Sequence, residues 1–183
     1  RKANTANIGL EHTDIVTNER GAIVVNDTCE SSVPGVYAVG DVNGGPQFTY
    51  VSLDDFRIVF GALTGNSQYT LKDRKNIPYT TFLTPPLSRV GLTEEDAINQ
   101  GYTVKTKEML VATMPRAHVN DYLKGAFKIV VDADNDLILG ATLYSQGAEE
   151  LINLIKMAMD NNIPYTYFKN QIFTHPTMAE NLN

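Results

Sequence analysis

The chain has 183 residues, 43% of them hydrophobic and 20% charged, the balance of a globular protein with room for one domain or one and part of another. Fifteen basic against twenty-one acidic residues give a net charge of −6, which argues against a nucleic-acid footprint or an anionic membrane surface. No apolar run approaches the ~20 residues that span a bilayer, and the single cysteine, Cys29, excludes an internal disulfide framework and suits a reducing cytoplasm.

The chain opens at Arg1 without a methionine or a signal-peptide pattern and stops at Asn183 in a helix-like segment. A piece of a longer protein is expected, although a processed product would look the same. Residues 22–25 (AIVV) and 36–40 (VYAVG) are short apolar runs bounded by turn formers and predict strands, the second buried on both faces of a parallel sheet. Gly40 and Asp41 close that run, the loop VNGGP follows, and Phe48 to Leu63 predicts a helix. Such a strand–loop–helix unit places a ligand at the carboxyl end of its strand. Thr70 to Pro78 is polar and predicts a linker, so the chain divides into residues 1–72 and 73–183.

The second part predicts a short helix after Thr93, with Glu94, Glu95 and Asp96 in its first turn and Gly101 at its end. Strands are expected at 103–105, 109–113, 126–132 and 137–144, with DADND (132–136) as a hairpin turn between the last two. Ala148, Leu151, Ile152, Ile155, Ala158 and Met159 keep a spacing of three and four and predict an amphipathic helix. Leu154 and Met157 fall off that stripe and point to a second buried face. Strands crossed by a helix suggest an α+β layer.

Several motifs, in order, resemble one family. VPGVYAVGDV (33–42) resembles the second flavin-binding motif of the pyridine nucleotide-disulfide oxidoreductases, the group of dihydrolipoamide dehydrogenase, glutathione reductase and mercuric reductase. LTPPLSRVGLTEEDA (83–97), KGAFKIVVDADNDLILGATL (124–143) and AEELINLIKMAM (148–159) resemble successive parts of its C-terminal dimerisation domain, and HPTMAE (175–180) its terminal catalytic signature. QFTYVSLDDF and MPRA (114–117) are similar to the branch near mercuric reductase and the reductases of reactive-chlorine or hypothiocyanite stress. The resemblance implies an α+β fold: an antiparallel-sheet dimerisation domain with flanking helices, preceded by the C-terminal strand–helix part of an α/β FAD-binding domain. It also implies a cytoplasmic homodimer that uses FAD, takes NADH or NADPH in another domain, and acts on a small-molecule disulfide or other oxidised substrate.

Each candidate site residue carries two readings. Asp41 is a turn former by position; by resemblance its carboxylate accepts from a hydroxyl of the flavin's ribityl chain, with Gly40 beside it. Gln47, Phe48 and Thr49 would form a helix N-terminus aimed at the flavin's pyrimidine edge, where N–H groups and the helix dipole stabilise negative charge. The family's usual Leu-Ala-His is here Phe48-Thr49-Tyr50. Thr177 and Glu180 have the spacing of a capping box; by resemblance Glu180 also orients His175, an acid/base that serves a redox thiol across a two-fold axis. That thiol belongs to a Cys-x-x-x-x-Cys pair absent from these 183 residues. Cys29 lies in a polar stretch and reads as structural, or as a lone thiol sensor. His12 and His118 carry no metal spacing. The whole is expected to be part of a disulfide reductase, inactive by itself; the alternative is a non-catalytic homodimerisation module.

Overall fold

An aspartate interrupts the apolar stripe of the first long helix. Helix α1 (Thr49–Leu63) buries Val51, Asp55 and Ile58, positions one turn apart, while Phe56 and Phe60 stay exposed. In this computed structural model, which describes residues 2–66 and 68–183, α1 belongs to the first of two units, Arg1–Lys75 and Asn76–Asn183.

In the first unit the expected strands at 22–25 and 36–40 do not form. Single antiparallel bridges, Thr17 to Ile23 and Glu30 to Tyr37, stand in their place. The apolar runs meet turns rather than extended neighbours: Ala38 N–H donates to Cys29 O and Ile23 N–H to Val42 O. Without a ladder the segment is not enclosed, and Val36 and Val39 remain exposed. A four-residue 3₁₀ turn, Gly40–Asn43, then leads through Gly44 into α1. The start of the stretch expected as a linker carries structure of its own. Thr70 and Asp73 form a reciprocal capping pair around a 3₁₀ turn at Leu71–Asp73, and the Arg74 side chain is largely buried within the first unit.

The second unit is a five-stranded antiparallel sheet in the order β1-β2-β5-β4-β3 with helices attached, in agreement with the expected α+β dimerisation-domain fold. Strands β1 (Tyr79–Thr81) and β2 (Leu87–Gly91) are short, and the sequence reading assigned them no element. Helix α2 (Glu94–Asn99) starts at the Thr93–Asp96 capping box. The expected pair at 103–105 and 109–113 is one strand, β3 (Val104–Leu110), followed by a 3₁₀ turn at Val111–Thr113. Lys105, Lys107 and Glu108 do not break it, because β3 is an edge strand and those charges stay in water. Helix α3 (Pro115–Val119) follows. The hairpin of β4 (Ala126–Asp132) and β5 (Ile138–Tyr144) turns where expected, with the Asp132 carboxylate accepting from Asp134 N–H and Asn135 Nδ2.

At the far end of β2, Gly91 pairs with Gly140, and Leu92 N–H donates to Leu139 O. A Cβ on Gly140 would stand 2.0 Å from Leu92 O, so only glycine admits this approach.

Helix α4 (Ala148–Asp160) buries Ala148, Leu151, Ile152, Ile155 and Ala158 in one cluster with Val90, Phe127, Ala141 and Leu143. Each fully buried Leu or Ile contributes roughly 1.5–3 kcal/mol. Met159 packs at the edge of this cluster, whereas Leu154 and Met157 are exposed, so the implied second face is open on this chain. Helix α5 (Tyr165–Asn170) adds Phe168. Among the described residues no helix is long and apolar enough to cross a membrane.

Candidate functional site

The two groups of candidate residues lie in different units. In the second unit, Phe173 and Met178 pack against the core on either side of His175, which fixes the HPTMAE turn at both ends. The reciprocal hydrogen bonds of the capping box form: Thr177 N–H donates to Glu180 Oε1 at 3.1 Å, and Glu180 N–H to Thr177 Oγ1 at 3.2 Å. They initiate a 3₁₀ turn, Ala179–Leu182.

The other oxygen of the same carboxylate, Oε2, lies 2.8 Å from His175 Nδ1. One carboxylate therefore makes both contacts, one oxygen for each. An ionised carboxylate only accepts, so Nδ1 carries the proton and the lone pair of the neutral ring is left on Nε2. The His175 side chain is 68% exposed and Glu180 17%, which leaves the ring open to an incoming group and its orienting partner shielded. The His175 hydrogen bond, followed by the Thr177 N–H, holds the Glu180 carboxyl below the usual carboxylate range.

In the first unit, Asp41, Gly44 and Gln47 line one open cleft of about 380 Å³ with Asn18, Arg20 and Ala22. Gly40 is buried beneath it, and Phe48 and Thr49 stand outside the cleft at the start of α1. Asp41 is exposed, and among the described residues its carboxylate has no hydrogen-bond or ion-pair partner. The N-terminus of α1 has neither a side-chain cap nor an acidic residue in its first turn. No carboxylate of this chain therefore offsets the positive dipole end of α1 in its first turn. An exposed carboxylate without a partner among the described residues, a cleft and a helix N-terminus together could hold a ligand with both hydroxyls and an electron-rich carbonyl edge, which a flavin nucleotide has.

The sequence reading missed Asp54, Asp55 and Arg74, which form an ion cluster below the Gly40–Asn43 turn. Arg74 pairs with Asp55 and donates through Nε to Asp54 Oδ2 at 2.7 Å. The available signal was a charged residue on the apolar stripe of α1, since a buried carboxylate requires a partner. Cys29 is also buried in this unit. Burial, reinforced by the charge of Asp55 and opposed by Arg74, pushes its thiol up to about 11. Such a thiol is the opposite of a sensor, which needs an exposed thiolate. We expect Cys29 to react with a thiol-specific disulfide reagent at neutral pH only when the protein is unfolded; rapid labelling of the native protein would restore the sensor reading. Of the other histidines, His118 Nε2 lies 2.8 Å from Ala112 O, and His12 sits beside Glu11 on the surface.

Comparison with known proteins gives the same pattern in both units. Residues 77–183 match the family described as pyridine nucleotide-disulphide oxidoreductase, dimerisation domain, and residues 1–55 match the pyridine nucleotide-disulphide oxidoreductase family. The chain is 46% identical over 183 residues to the probable pyridine nucleotide-disulfide oxidoreductase RclA of Escherichia coli, covering all of this chain and 42% of that protein. It is 34% identical to a mercuric reductase of Staphylococcus aureus over 182 residues, 33% of that protein. The solved structure of the HOCl-induced flavoprotein disulfide reductase RclA superimposes with a TM-score of 0.96 over the whole chain and 42% of its own. The chain thus spans less than half the length of the relatives it matches.

Proposed function

The chain belongs to the pyridine nucleotide-disulphide oxidoreductases, and from that premise we propose that it is the dimer-forming and acid/base part of a cytoplasmic FAD-dependent, NAD(P)H-driven disulfide reductase. The observation that carries the proposal is the His175 Nδ1 to Glu180 Oε2 contact of 2.8 Å on a side chain that is 68% exposed.

In the first unit, Asp41 would accept from the ribityl hydroxyls, and the start of α1 at Gln47, Phe48 and Thr49 would face the electron-rich edge of the ring. The first assignment draws on a carboxylate without a partner among the described residues, and the second on a helix start that has no side-chain cap hydrogen bond and no acidic residue in its first turn. Main-chain contacts of this kind tolerate Phe48-Thr49-Tyr50 in place of the family's usual residues. Bound FAD supplies the two-electron relay between nicotinamide and disulfide. The chain's own residues move a proton. His175 Nε2 takes it from a redox thiol so that the thiolate can attack, and returns it to the leaving thiolate; Glu180 stabilises the imidazolium in between. The His/Glu pair would serve the disulfide of the partner subunit, and the isolated chain, lacking that disulfide, would be inactive. Leu154, Met157, Tyr167 and Ile172 are apolar or aromatic and exposed in the second unit, as a surface covered by a second copy requires.

Hybrid dimers test the trans arrangement. A subunit carrying His175→Gln is paired with one lacking its redox cysteines. In a two-fold dimer one composite site then stays complete, and about half of wild-type turnover is expected. A hybrid with no activity would show that His175 serves its own subunit and would overturn the arrangement.

A further inference from the structure

Asp55 has no surface exposure. Its Oδ2 accepts from Gly40 N–H at 2.7 Å and from Asn43 Nδ2 at 2.8 Å, the first and last residues of the turn whose second residue is Asp41. Its Oδ1 accepts from the Arg74 guanidinium, which also donates to Asp54. Asn43 continues the hold, donating to Ala38 O and accepting from Gly45 N–H at 3.0 Å. The turn is also pressed onto α1: Gly40 has φ +72°, and a Cβ there would meet Ser52 Oγ at 2.6 Å.

A buried ion pair is weak support for stability, because well-packed apolar residues of similar size would serve the α1 stripe equally well. The aspartate adds geometry instead. Asp41 itself has no side-chain partner among the described residues, so the turn's backbone sets the direction of its carboxylate. One rigid acceptor holds that turn at both ends, through the Gly40 N–H and through the Asn43 side chain. We infer that Asp55, anchored by Arg74, is a positioning residue that holds the Gly40–Asn43 turn so that Asp41 meets the hydroxylated chain of the flavin. This inference rests on the flavin-binding role proposed above for Asp41.

Asp55→Asn keeps the shape and removes one acceptor. Its amide group must face a donor on one side, either the turn or Arg74. The experiment measures FAD dissociation constants by flavin fluorescence in the full flavoprotein that carries this chain. Wild type is compared with Asp41→Ala, Asp55→Asn and the double variant. Each single variant is expected to weaken FAD by about tenfold or more, the loss of a charge-assisted contact, and Asp55→Asn should add almost nothing once Asp41 is alanine. An equal effect of Asp55→Asn in both backgrounds would mark a merely structural residue and overturn the inference, as would unchanged affinity in Asp55→Asn alone. Unchanged affinity in Asp41→Ala would overturn the role of Asp41 itself, and the inference with it. Should Asp55→Asn fail to fold, Asn43→Ala loosens the turn while leaving the buried ion pair intact, and the same cycle is read with it.

Discussion

Replacing His175 by glutamine is expected to lower turnover of the full reductase by about 10²- to 10⁴-fold, the range a positioned acid/base contributes, with FAD content and dimer size unchanged. Glutamine can donate to Glu180 but cannot take a proton from a thiol. Wild-type turnover in this variant would remove His175 from the mechanism. Variants at Glu180 separate its two duties. Glu180→Gln has one carbonyl oxygen where the carboxylate uses two, so it can accept from Thr177 N–H or from His175 but not both; Glu180→Ala loses both contacts. Alanine should therefore perturb the turn as well as turnover, and glutamine chiefly turnover. The sign of the pH effect follows from the lowered Glu180 carboxyl. A depressed native value stabilises the paired turn above the ordinary glutamate range of about 4.3. The stabilisation disappears as the pH falls through the lower native value. Exchange of the Thr177 amide should accelerate across that acid window in wild type and lose the dependence in Glu180→Gln.

What could be read from the sequence follows the range of the interactions involved. The HPTMAE turn, the Asp132 hairpin and the stripe of α4 are local, built from residues within a few positions of each other, and they form as read. The runs at 22–25 and 36–40 were legible as apolar and β-branched, but a strand also needs an extended neighbour, which no local pattern can supply. For β3 the error ran the other way. Two strands were expected within 103–113, yet on an edge strand the charges between them remain solvated and the ladder passes through them. The chain divides at Lys75/Asn76, and Arg74, read as linker, pairs within the first unit with Asp54 and Asp55, 20 and 19 residues earlier. Nothing in the spacing of DDF and KDRK announces that pairing. Only the misplaced charge on the α1 stripe does.

That pairing sets the second large effect. Arg74→Ala should destabilise the protein by about 3–5 kcal/mol, the cost of leaving a buried carboxylate without its partner. The Arg74 side chain is 11% exposed and Asp55 fully buried, so water cannot take over the guanidinium's place at Asp55, although Asp54, at 18%, can still reach solvent. Urea unfolding of the full protein, with amide exchange along α1, would measure the loss and locate it. A change below about 1 kcal/mol, typical of surface pairs, would mean that the cluster is solvated in solution. Replacing both partners by apolar residues, Asp55→Leu with Arg74→Met, should recover part of the stability, since no fully buried charge then remains while Gly40 N–H and Asn43 Nδ2 lose their acceptor. It should not recover flavin affinity, because leucine offers nothing to Gly40 N–H or Asn43 Nδ2 and the turn below Asp41 is released. Stability recovered in part over Arg74→Ala, with no gain in affinity, would separate the two duties of the pair, with the α1 stripe served by any residue of the right shape and the turn only by a carboxylate.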